Sequence, residues 1–152
     1  MPGSGVIWLT TIAHMIPRIP SFSACGDACP YGGGGFSINM KFWWHLEWSE
    51  EIKGNTKLCL PDNKSGKMIS INVLEYATII LNYTAALTVL DYDGVGDDIH
   101  PVLLNWADKK SAVRWTNRSC KKSLVGKALG RIFCALLIDS PLGMNAKRHK
   151  CL

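Results

Sequence analysis

"SACGDACPYGGGGFSINMKFWWHLEW", residues 23–48, decides how the rest of the chain is read. From Phe36 onward the side chains alternate: Phe36, Ile38, Met40, Phe42, Trp44, Leu46 and Trp48 share one parity, and Ser37, Asn39, Lys41, Trp43, His45, Glu47 and Ser49 share the other. A period of two puts each set on one face of a sheet, so residues 36–48 read as one long strand or as a hairpin with an even-numbered loop near Asn39 and Met40. Trp43, Trp44 and Trp48 read as sheet and core residues. Residues 21–28 read as a short preceding strand that ends at Asp27. Residues 31–35 read as a turn, because a run of glycines tolerates positive φ and close backbone approach. The stretch therefore poses a question: is Asp27 a turn residue, or a working acid held by a sheet?

A chain of 152 residues, 47% apolar and 19% charged, has ordinary globular composition and can bury a core within one domain. No apolar run reaches the roughly 18 residues needed to span a bilayer, and no membrane partner is expected. The N-terminal "VIWLTTIAHMI" is a poor secretory signal, with no basic residue before it and His14 inside it. Without such a signal, the glycosylation patterns at Asn82 and Asn117 read as chance. The six cysteines read as reduced thiols of an intracellular protein, cytoplasmic or nuclear. Cys25 and Cys29 could share a metal, but no second close pair of Cys or His completes a tetrahedral site.

Net charge is +5, unevenly spread. Residues 1–108 carry 6 Lys and Arg against 11 Asp and Glu, whereas residues 109–152 carry 11 against Asp139 alone. Such asymmetry suggests a polyanion met by the C-terminal half, or else a solvated basic helix face.

Residues 1–20 hold three prolines and no clear period, and read as a lead-in to a domain over 21–152. Residues 49–67 are polar, with Gly54, Pro61 and Gly66, and read as a loop that could hold one short helical turn. "SINVLEYATIILNYTAALTVL", residues 70–90, is apolar almost all the way round and predicts a helix buried on most sides against the sheet. "HPVLLNWAD" predicts a short buried strand and "SAVRWTN" a short helix. "SLVGKALGRIFCALLIDS" predicts an amphipathic helix with Leu124, Val125, Ala128, Leu129, Ile132 and Leu136 on its core side, stopped at Ser140-Pro141. "GMNAKRH" begins a last strand. The predicted order is β-β-β-α-β-α-α-β, an α/β domain with helices flanking a mixed sheet of about five strands.

In that layout Asp27 ends the first strand, Glu75 lies in the first turn of the long helix and Asp108 closes the fourth strand. If the first and fourth strands are neighbours, these three carboxylates converge, and they repel one another unless a cation sits between them. Oxygen ligands of this kind suit Mg²⁺ or Mn²⁺. Each acid also has a purely structural reading. Asn72 and Glu75 fit a capping box, Asp108 could N-cap the following helix, and Asp27 could be a turn residue before Pro30.

"GDACPYGGGGFSINMKFWWHLEW", "ISINVLEYATIILN", "VLLNWADKKSAVRW" and "GKALGRIFCALLIDSPLGMNAK" together resemble the ribonuclease H-like domain that follows the polymerase in retrotransposon reverse transcriptases, especially DIRS-like and related fungal or protist elements. The likeness covers roughly residues 21–147, and it lies in the ordered set rather than in any single motif. It implies a ribonuclease H fold, a parent polyprotein with a polymerase domain, and hydrolysis of RNA in an RNA–DNA hybrid by divalent metals on four acids. By position Asp27, Glu75 and Asp108 match three of the four. Lys109 stands where the family usually has Asn, and an ammonium there would compete with the cation for the carboxylates. No carboxylate follows Asp139, which precedes the last strand, and the tail "AKRHKCL" offers only His149 in place of the family's final helix. The expectation is a truncated remnant lacking that helix, with catalysis weak or lost.

Nucleic-acid contacts are expected from Lys109, Lys110, Arg114, Arg118, Lys121 and Lys122, which would grip phosphates without reading bases. Trp115 among them could stack on a base or pack in the core. The rival readings are a nucleic-acid-binding remnant without catalysis and a fragment with no role. A calcium loop on "DYDGVGDD" fails, because Val95 and Val102 fall where ligands are required. A dinucleotide site on "GGGGF" fails because a strand, not a helix, follows the glycines.

Overall fold

The computed structural model describes residues 19–57, 69–93, 101–118 and 123–148. Among them are five strands and four helices: β1 (Phe22–Ala28), β2 (Gly32–Ser37), β3 (Phe42–Glu47), α1 (Glu50–Lys57), α2 (Ile71–Asp93), β4 (Val102–Ala107), α3 (Lys110–Arg118), α4 (Leu124–Ile138) and β5 (Gly143–Arg148). The strands form one open mixed sheet in the order β3-β2-β1-β4-β5. β1, β2 and β3 run antiparallel by hairpins, whereas β4 lies parallel to β1 and β5 parallel to β4. Parallel neighbours need a crossover, and the long helix α2 supplies the one into β4.

The α/β class, the mixed sheet and the positions of most elements follow the sequence reading, but the glycine run does not. Gly32 to Gly35 belong to β2, paired with β1 on one side and β3 on the other. The physical reason is helix–sheet packing. A Cβ on Gly35 would overlap the side-chain amide of Asn82, and one on Gly26 would sit 2.7 Å from Thr78 Cγ2. Without those Cβ atoms α2 settles directly on β1 and β2. A side chain there would lift it off.

Of the two readings of residues 36–48, the hairpin with an even-numbered loop is the one formed, and parity switches across that loop. Ile38–Lys41 form a four-residue turn in which Lys41 takes φ 56°. Across it Phe36 pairs with Trp43 and Ser37 with Phe42, so even positions face inward on β3 but outward on β2. Phe36 is therefore 46% exposed and Ile38 83%, while Ser37 is buried and its hydroxyl donates to Ser23 O at 2.6 Å. Trp43, expected in the core, is 75% exposed and stacks on His45. Trp48 is buried, its Nε1 donating to Cys29 O at 2.9 Å.

Two helices depart from expectation as well. α1 occupies part of the predicted loop, with Ile52 packed on Trp48 and Leu74 and Lys53 paired with Glu47 and Glu50. α4 is capped by Ser123, whose hydroxyl accepts from Gly126 N at 3.1 Å, and buries Gly126 and Phe133, with Leu129 and Leu136 partly buried against the core. Leu124 and Ile132, predicted inward, are 68% and 54% exposed. Tertiary contact is made by the Phe133 side, where Tyr76 and Tyr83 meet that ring edge-on.

α2 is the centre of the core, burying Leu74, Tyr76, Ile79, Ile80, Tyr83, Ala86 and Leu90. By length and hydropathy alone it would pass as a membrane span, contrary to the reading that no run is long enough, yet 61% of that window is buried inside the protein. Glu75, Thr78 and Asn82 are placed inward too. Asn82 donates to Asn105 Oδ1 on β4 at 2.7 Å and accepts from Trp44 Nε1 on β3 at 2.8 Å, so one buried amide ties the helix to strands on both sides of β1. Such full burial of Asn82 leaves no room for a glycan on it. Tyr83 donates to Leu142 O at 2.6 Å, and burial pushes its phenol up to about 12.

Candidate acidic site at the ends of β1 and β4

β1 and β4 are neighbours whose register runs from Phe22 with Leu103 to Cys25 with Trp106. Continued by two residues, that register sets Asp27 level with Asp108. Glu75 comes to the same end from above. It is not in the first turn of its helix: Ser70 caps α2, accepting from Val73 N through both its carbonyl and its hydroxyl, and Asn72 lies inside the helix. Glu75 is thus one turn in, and its carboxylate does not fold back in a capping box. Instead Oε1 accepts from the Ala28 amide of β1 at 3.3 Å, and the same amide donates to Asp27 Oδ1 at 2.9 Å.

Glu75 is wholly buried, and its second oxygen, Oε2, has no hydrogen-bond partner. Burial first, then the neighbouring Asp27 carboxyl, push the Glu75 carboxyl up to about 8. The Ala28 amide and the Lys109 charge oppose that rise. At neutral pH Glu75 therefore carries a proton for most of the time, as expected for one of two carboxyl groups sharing a confined space.

Asp108 meets a cation of the chain itself. Lys109 Nζ lies 2.7 Å from Asp108 Oδ2, both side chains being little more than a third exposed. The Asp108 carboxylate, and then the charges of Glu75 and Asp27, raise the Lys109 ammonium above its ordinary value. Lys109 occupies the residue before α3, where its carbonyl accepts from Val113 N at 3.2 Å, so the N-cap position falls to Lys109 and not to Asp108. Arg148 of β5 also reaches in, donating from Nε to Asp108 O at 3.1 Å. No local sequence signal marks Arg148, because only the β4–β5 pairing brings it there.

As the side chains stand, the donor set does not fit a ready divalent-metal site. Asp27 and Glu75 face one another over a shared amide, while Asp108 is held by an ammonium. Among the described residues, no three carboxylate, imidazole or thiol groups lie close enough together to hold an ion. Cys25 and Cys29 are free thiols, and burial raises Cys25.

Of the expected nucleic-acid contacts, Lys109 is committed to Asp108. Lys110, Arg114 and Arg118 are all exposed and follow one another at four-residue spacing along α3, which puts them on one helix face. Trp115 is a core residue, half-buried, meeting Tyr76 edge-on at 5.8 Å. Asn117 pairs through its side-chain amide with both backbone groups of Ala146, fixing α3 beside β5, which adds exposed Lys147 and Arg148 to the same region. Lys121, Lys122, His149 and most of the acidic "DYDGVGDD" segment lie outside the described residues.

Comparison of the chain with family models, with curated proteins and with solved structures gave no match to any of them.

Proposed function

We propose that the chain is a ribonuclease H-like domain of retroelement origin which binds RNA–DNA hybrid or another nucleic acid, and in which metal-dependent phosphodiester cleavage is weak or lost. One observation carries the reading. Three carboxylates separated by tens of residues in the chain come to the same end of two adjacent parallel strands, and one of them is buried with an unpartnered oxygen. Burying a carboxyl group without a partner costs stability, and a fold retains it where the group serves, or once served, a site. Asp27, Glu75 and Asp108 are the residues that would have held Mg²⁺ or Mn²⁺ and carried catalysis in the ancestor.

Support for binding comes from the next element. Lys110, Arg114 and Arg118 begin directly after the acids and run away from them along α3. Cations so arranged suit a phosphate backbone, whose contacts position a nucleic acid without reading its bases. The Lys109–Asp108 pair favours the binding reading over the catalytic one, because it takes one acid out of use.

A labelled RNA–DNA hybrid tests both arms. The expected result is salt-sensitive binding, with at most slow Mn²⁺- or Mg²⁺-dependent cleavage that Asp27→Asn abolishes. A chain that neither binds the hybrid in a salt-sensitive way nor cleaves it would overturn the proposal.

A further inference from the structure

The geometry points to Lys109 as the resident cation of the acidic site: its ammonium pairs with Asp108, stands in for a divalent ion, and keeps such an ion out. This inference rests on reading Asp27, Glu75 and Asp108 as one site.

The argument begins with where Lys109 stands. It occupies the N-cap of α3, at the positive end of the helix dipole, where an oxygen-bearing side chain is favoured and a cation is not. No helical reason places an ammonium there. The reason is across the gap: Nζ is 2.7 Å from Asp108 Oδ2, and its charge is felt by Glu75 and Asp27 as well. Two features tie Asp27 to Glu75, and the Lys109 charge, which bears on both, links that pair to Asp108. Asp27 and Glu75 share the Ala28 amide, and Glu75 Oε2 is buried without a partner.

With the ammonium in place the charges are accommodated internally. A divalent ion entering between the carboxylates would face Lys109 as a like charge at close range, and would have to take Asp108 from it. Arg148, donating to Asp108 O, adds a second positive group on the outer side. The site is therefore closed by a tethered counter-ion rather than emptied by loss of its acids. Removing that one positive charge should reopen it.

Titrating Mn²⁺ into the full chain, and reading bound ion by calorimetry or by the spin resonance of free Mn²⁺, tests this without any assay of cleavage. The expected result is that Lys109→Met binds one Mn²⁺ at least about tenfold more tightly than the unaltered chain, since a charge within a few ångström shifts such equilibria by one to three powers of ten. Lys109→Arg, which keeps the charge, should bind as weakly as the unaltered chain. Asp27→Asn added to Lys109→Met should remove the gain. Equal affinity of Lys109→Met and the unaltered chain, both sensitive to Asp27→Asn, would overturn the counter-ion role while leaving the acids as a cation site. Absence of an Asp27-sensitive Mn²⁺ site in every variant would overturn both. Tight binding by Lys109→Arg would show that charge is not the cause, and would overturn the inference too. Lys109 is partly exposed, and circular dichroism of each variant reports that it is folded.

Discussion

Asp27 and Glu75 hold the same backbone amide: Ala28 N–H donates to Asp27 Oδ1 at 2.9 Å and to Glu75 Oε1 at 3.3 Å. A strand end and a helix are thereby joined through two carboxyl groups, of which the buried one keeps its proton up to about pH 8. The groups that bear on that proton are Asp27, the Ala28 amide and Lys109.

Stability should therefore depend on pH in a set direction. The Glu75 value of about 8 in the folded chain stands above its ordinary 4.5, so the folded state holds this proton more tightly than the unfolded chain does. The stabilisation is complete below about 4.5 and is lost as pH rises through about 8. Thermal unfolding followed from pH 5 to pH 9 should show a falling Tm, and Glu75→Gln should flatten that fall. An unchanged slope in Glu75→Gln would place the responsible proton elsewhere.

Glycines of the chain should answer very differently to alanine. Gly35→Ala pushes a methyl group into Asn82 and the Trp44 indole, and overpacking of this kind costs about 1–3 kcal/mol. Gly54, in the middle of α1, has open space where its Cβ would be. Gly54→Ala should be neutral, or stabilising by about 0.5–1 kcal/mol through helix propensity. Urea midpoints of the two variants measure the contrast, and similar values would contradict the close seating of α2 on β2.

Asn82→Ala should be among the more damaging single substitutions. It leaves Trp44 Nε1 and Asn105 Oδ1 without their partner inside the core, a loss of about 2–6 kcal/mol at 1–3 kcal/mol for each stranded group. Equilibrium unfolding should show this as a lower midpoint. A near-neutral result would mean that water replaces the amide.

Charge reversal on α3 tests the nucleic-acid face. Lys110→Glu, Arg114→Glu and Arg118→Glu combined should weaken hybrid binding for all sequences alike. The slope of log affinity against log salt should become shallower by about 2–3, since each lost phosphate contact contributes a little under one. These side chains are exposed, so Tm should move little. Retained binding with an unchanged slope would move the contact surface elsewhere.

How much of this was legible in the sequence varies with how local each signal is. The long helix was visible, because twenty-odd residues without Gly or Pro and apolar on all sides have few alternatives to a buried helix. The strand at residues 102–107 was visible for its short apolar run. Gly32 to Gly35 were misread, because glycine signals a turn by its own conformational freedom and signals close packing only through a neighbour far away in the chain. Trp43 is expected in the core with Trp44 and Trp48, yet alternation sets it on the face opposite to Trp44, and the turn with Lys41 at positive φ pairs it with Phe36 on the outer face.

Apart from α1, the order of strands and helices was set by sequence alone, as were the acids at Asp27, Glu75 and Asp108 and the basic character of the C-terminal half, because periodicity, breakers and charge are properties of adjacent residues. Only tertiary structure decided that β1 pairs with β4, that Glu75 is buried with an oxygen to spare, and that Lys109 turns to Asp108 while Lys110, Arg114 and Arg118 face outward. Those outcomes depend on which surfaces exclude water and which charges meet at short range, and both are set by contacts between residues distant in the chain.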